Sequence, residues 1–83
     1  MDKQKAFELY QKAAATWINN LGICYEYGIG TSINKLKALK SYQNAANLGL
    51  PSGLCNLAYF YKYGIGVGVN KRSILNYFEM LQN

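Results

Sequence analysis

Apolar residues at Ala38, Leu39, Tyr42, Ala45 and Ala46 recur three and four positions apart, the spacing of one face of an α-helix. Asn34 stands just ahead of them as an N-cap, so the pattern predicts a helix over 35–48. Gly49 can take the left-handed conformation that closes a helix, and Pro51 suits the first turn of the next one, where a missing N–H costs nothing. A second helix is predicted over 51–63 from Leu54, Leu57, Ala58 and Tyr61, with Gly64 ending it. The segment 64–69 reads as a connection, and Asn70 caps a third helix over 71–81 through Ile74, Tyr77, Phe78 and Leu81.

The chain repeats itself, which identifies a stacked architecture before any single element is argued. Tyr25-Glu26-Tyr27-Gly28-Ile29-Gly30 returns thirty-six positions later as Tyr61-Lys62-Tyr63-Gly64-Ile65-Gly66, and Asn20-Leu21 returns as Asn56-Leu57. Asp2, Lys5, Ala6, Tyr10, Ala13 and Ala14 return as Asn34, Lys37, Ala38, Tyr42, Ala45 and Ala46, but after only thirty-two. Four residues are therefore missing from the middle of the first unit. The gap falls within Ala13-Ala14-Ala15-Thr16-Trp17-Ile18, where the second unit runs from Ala45 to Leu54 through its turn.

These residues resemble the Sel1-like repeat, a relative of the tetratricopeptide repeat. The matching positions are Asp2, Lys5, Ala6, Tyr10, Lys12, Ala13, Ala14, Leu21, Gly22, Tyr25, Gly28 and Gly30 in the first unit. In the second they are Asn34, Lys37, Ala38, Tyr42, Ala45, Ala46, Gly49, Leu57, Tyr61, Gly64, Gly66 and Val67. Leu9, Ser41 and Tyr77 stand where a Trp is usual, and Ala58 replaces a glycine. The resemblance implies an all-α fold of helix-turn-helix units stacked into a right-handed α-solenoid. The units would be 1–33 and 34–69, followed by the first helix of a third at 70–83. It also implies a non-enzymatic adaptor or scaffold that captures a protein or peptide on its concave face, often joined in one parent chain to other domains such as kinases or ubiquitin-ligase factors. Disulfide-linked members carry cysteines at the positions of Ala46 and Leu54, and this chain has none there.

Composition narrows the chemistry. The 83 residues contain no His, which removes the commonest general base and zinc ligand together with the Ser/His and Cys/His nucleophile pairs. The carboxylates Asp2, Glu8, Glu26 and Glu79 pair on no common helix face, and Cys24 and Cys55 form no CxxC. The expectation is no enzyme, no cofactor, no metal, and two reduced thiols lying among apolar neighbours. No signal-peptide or membrane-spanning run is present, so a cytoplasmic setting without membrane contact is expected. The net charge of +5 lacks the dense basic cluster of a nucleic-acid reader. The glycines of 64–68 follow a helix rather than a strand and so read as cap and turn, not as a phosphate loop.

The remaining candidate chemistry is surface. Aligned positions on the A-type helices form three rows: Phe7, Leu39 and Leu75; Glu8, Lys40 and Asn76; Gln11, Gln43 and Glu79. One apolar row beside two polar ones suits a peptide, while packing between neighbouring helices would also account for the apolar row. Tyr10, Tyr25, Tyr42, Tyr61 and Phe78 are assigned to packing, leaving Tyr27, Tyr59 and Tyr63 for other uses. Two further readings stand beside the adaptor: a basic single-stranded nucleic-acid binder, and a structural spacer in a longer chain.

The first unit poses a separate question. Ala13-Ala14-Ala15-Thr16-Trp17-Ile18 contains no Gly or Pro, and only Thr16 has any capping tendency. Residues 6, 10, 13, 17, 21, 24 and 28 keep one continuous face. Local propensity favours a single helix from about Lys3 to Tyr27, near 37 Å long. Against it stands the burial that a hairpin would give Tyr10, Trp17 and Tyr25. A continuous helix leaves that surface in need of another partner and opens the way to a domain-swapped dimer.

Overall fold

The structure, a computed structural model, describes residues 2–65. It consists of three helices, α1 (Lys3–Tyr27), α2 (Lys35–Asn47) and α3 (Pro51–Tyr63), and the described residues contain no strand. The helix expected over 71–81 lies outside them.

Helix α1 runs unbroken through Trp17, so the first unit is not a hairpin. Asp2 starts it by accepting a hydrogen bond from the Gln4 amide at 2.9 Å. The one residue that could have capped a second helix, Thr16, donates its hydroxyl to the Lys12 carbonyl at 2.9 Å, bonding back into the same helix. Three alanines ahead of it offer no alternative to continuation. The helix ends at Gly28 with φ 71°, whose amide bonds to the Cys24 carbonyl.

Capping in the second unit follows the sequence closely. Asn34 accepts from the Lys37 amide at 3.0 Å. At the far end of α2, the Leu50 amide reaches the Ala45 carbonyl at 3.1 Å and the Gly49 amide reaches that of Ala46 at 2.9 Å, a Schellman closure with Gly49 in the left-handed region. Helix α3 closes the same way, through Ile65 to Phe60 at 2.8 Å and Gly64 to Tyr61 at 3.3 Å. Ile65 then packs against the core.

The core is built by α2 lying between the C-terminal half of α1 and α3. Ala38, Leu39, Tyr42, Ala46, Leu57, Phe60 and Tyr61 are buried together, with Ile23, Tyr25 and Leu54 packed against them. Tyr42 meets Phe60 edge to face, centroids 5.2 Å apart. Two glycines set the helix separations. A Cβ on Gly22 would stand 2.7 Å from the Tyr42 ring, and one on Gly53 would stand 2.8 Å from the Ala45 Cβ. An Asn56 to Asn19 hydrogen bond of 3.2 Å ties α3 to α1.

Candidate interaction surface

The straight α1 changes where the predicted surface residues stand. Lys40 is exposed on α2, and Gln43, half-buried beside it, donates to the Tyr61 hydroxyl at 2.7 Å. Leu39, read either as a partner contact or as packing between neighbouring helices, is 2% exposed and so packs, because the face of α2 that carries it is the one enclosed by α1 and α3. Phe7, at 61% exposure, does not share a row with it. Glu8 and Gln11 lie instead near the α2–α3 turn, lining with Leu48, Gly49, Leu50 and Pro51 an open groove of about 310 Å³. Within one chain the A-type rows are therefore not side by side, since their alignment requires the first helix to fold back. Leu75, Asn76 and Glu79 lie outside the described residues.

Other assignments change for the same reason. Tyr10, expected to pack, is 76% exposed, and Trp17 is 73% exposed. Cys24 is half-buried and Cys55 exposed, both as free thiols. Cys55 lies on the outward face of α3 with Pro51, Ser52, Tyr59 and Lys62, one position round from the apolar stripe, so it is no core residue. Tyr42 and Tyr61 are buried as expected, and Phe78 is outside the described residues.

The C-terminal ends of α1 and α3 carry an aromatic and basic surface. The Tyr59 and Tyr63 rings lie 4.8 Å apart with their planes tilted by 54°, Lys62 lies 5.4 Å from the Tyr63 ring, and Lys35 lies 5.7 Å from that of Tyr27. Lys35 also donates to the Glu26 carbonyl at 3.0 Å. The Glu26 carboxylate accepts from the buried Tyr42 hydroxyl at 2.7 Å. Burial first, then that bond and the carboxylate charge, push the Tyr42 hydroxyl far above its usual range. The exposed Tyr27 hydroxyl is raised mainly by the charge of the adjacent Glu26. No group of three His, Cys, Asp or Glu that could hold a metal exists among the described residues. No described helix is long and apolar enough to cross a membrane.

The stripe along α1 formed by Leu9, Tyr10, Ala13, Trp17 and Leu21 is the surface that a continuous first helix was expected to leave in need of a partner. Its signal was present in the missing four residues.

The model of the Sel1 repeat matches the chain at residues 2–15, 18–50 and 51–80. The chain belongs to the Sel1 repeat family. The break between the first two matches falls where the four residues are missing. No curated protein sequence matches the chain. Among solved structures, it is similar to the Helicobacter pylori cysteine-rich protein B, with a TM-score of 0.78 and 26% identity over 99% of this chain. The chain spans 65% of the length of that protein. The architecture is therefore that of an all-helical Sel1 repeat solenoid, in which this chain's first unit is drawn out straight.

Proposed function

We propose that this Sel1 repeat chain is a protein-interaction module, with units at 1–33, 34–69 and 70–83, that holds a protein or peptide partner on its A-type helices. Membership of the family is the observation that carries the reading, because stacked helix pairs expose extended surfaces suited to elongated partners. The exposed Lys40, with Gln43, Glu8 and Gln11, supplies polar anchors, and Phe7 an apolar one. The absence of His anywhere in the chain is consistent with a role in binding rather than catalysis.

The test is capture with the full chain, followed by titration of each recovered partner against the wild type and Lys40→Ala. Lys40 is the cleaner probe because Gln43 also supports Tyr61. Weaker binding with an unchanged helical spectrum is expected. If Lys40→Ala is silent while Tyr27→Ala and Tyr63→Ala abolish binding, the active face is the aromatic one at the ends of α1 and α3. Steep loss of binding to single-stranded oligonucleotides with rising salt would favour a nucleic-acid partner instead.

A further inference from the structure

We propose that the exposed stripe of α1 is the contact by which two copies of this chain pair, each α1 lying antiparallel across the other and each supplying the half-hairpin that the other lacks. The argument starts from the α2·α3 contact of the second unit, where the A-type and B-type helices of one unit are seen packed. Ala38, Tyr42 and Ala45 face Gly53, Leu57 and Phe60 there, and all six are buried. Shifted back by thirty-two positions on the A side and thirty-six on the B side, they become Ala6, Tyr10 and Ala13, and Trp17, Leu21 and Cys24. These are the residues of the α1 stripe. Both halves of the interface that the second unit buries are thus present in the first, and none of the six is buried.

They cannot meet within one chain, because α1 is straight from Lys3 to Tyr27. They can meet between two chains, because the stripe complements itself when reversed. The close approach of Ala45 to Gly53 becomes Ala13 against Trp17 of the second copy, and the Tyr42–Phe60 contact becomes Tyr10 against Cys24. In both pairs a large side chain faces a small one, and by two-fold symmetry each pair occurs twice. Trp17 in place of glycine holds the helices further apart than α2 and α3. The indole would lie against the alanine side of the open groove of about 410 Å³ that Leu9, Lys12, Ala13 and Trp17 line.

The area suffices. Tyr10 and Trp17 from both copies would cover roughly 450–750 Å² at their present exposure, taking about 150–250 Å² for each aromatic side chain. Leu9, Ala13, Leu21 and Cys24 carry the total past the roughly 1,000 Å² that a specific interface needs.

Sedimentation of the purified full chain tests the proposal without any other partner, so its outcome is independent of the adaptor reading. The wild type should form a dimer whose population rises with concentration. Trp17→Glu and, separately, Tyr10→Glu should leave monomers of unchanged helicity, since both side chains are exposed within a single copy. Inserting Leu-Gly-Leu-Pro between Ala15 and Thr16, the turn of the second unit, should let the first unit close on itself. That variant should be monomeric with Trp17 emission shifted to the blue of the Tyr10→Glu monomer. A wild type that stays monomeric at every concentration overturns the proposal, even if another protein is found to cover the stripe. So does a dimer that survives Trp17→Glu, or one that persists after the turn is inserted.

Discussion

Residues 2–14 and 34–46 carry the same helical pattern and meet opposite fates. In α2 that pattern is enclosed on two sides, with Tyr42 wholly buried against Phe60 and hydrogen-bonded to Glu26. In the N-terminal half of α1 the equivalent Tyr10 stands in solvent. Both segments form helix and both are capped by the residue that the repeat supplies, Asp2 in one and Asn34 in the other. Amphipathic spacing therefore specifies which face is apolar without specifying what covers it. The cover is decided by the four residues that follow α2 and are missing after Ala15, because a Schellman glycine and a helix-starting proline make reversal cheap.

The largest expected contrast is between equivalent tyrosines. Tyr42→Ala should destabilise the chain by about 3–5 kcal/mol, as for other buried aromatic truncations. Tyr10→Ala should change the stability of the single copy by about 0.5 kcal/mol or less. Denaturant midpoints measured at concentrations too low for self-association compare the two, and equal losses would break the distinction. Gly22→Ala comes next, at about 1–3 kcal/mol, because its methyl would enter the Tyr42 ring and α1 would have to withdraw from α2. Thermal unfolding reads that shift. Asn34→Ala should cost about 1 kcal/mol through the lost cap, and Asp2→Ala less, since the turn it caps has no tertiary packing to lose; amide exchange at Lys37 and Gln4 reports each site.

The smallest effect should be that of pH across the neutral range. The chain contains no His, and the Tyr42 hydroxyl is raised in the folded state. The protein therefore keeps that contribution at every pH below the ordinary tyrosine value. It loses stability once the unfolded chain begins to ionise Tyr42, above about pH 10. A pH titration of the unfolding midpoint should be flat from about 6 to 9 and fall beyond about 10. Tyr42→Phe should remove the part of the fall that belongs to this residue.

Much of the local structure was legible in the residues. Asn34, Gly49, Pro51 and Gly64 mark the ends of α2 and α3 by mechanisms that act within a few positions, and the structure uses each as expected. The unbroken α1 was legible too, because no glycine, proline or free capping side chain interrupts residues 13–18 and backbone hydrogen bonds then continue by default. Site residues were less so. Leu39 reads equally as a partner contact and as packing until α1 and α3 enclose it, and Cys55 reads as core until α3 is turned to the side that hides Leu57 and Phe60. Helical periodicity gives an angle around one axis, whereas burial depends on which neighbouring axis lies at that angle. By itself the chain of residues determined the family, the helices and their caps. Which neighbours enclose an equivalent apolar face was decided by tertiary structure, because α2 is followed by a turn that returns the chain across it and the first half of α1 is not.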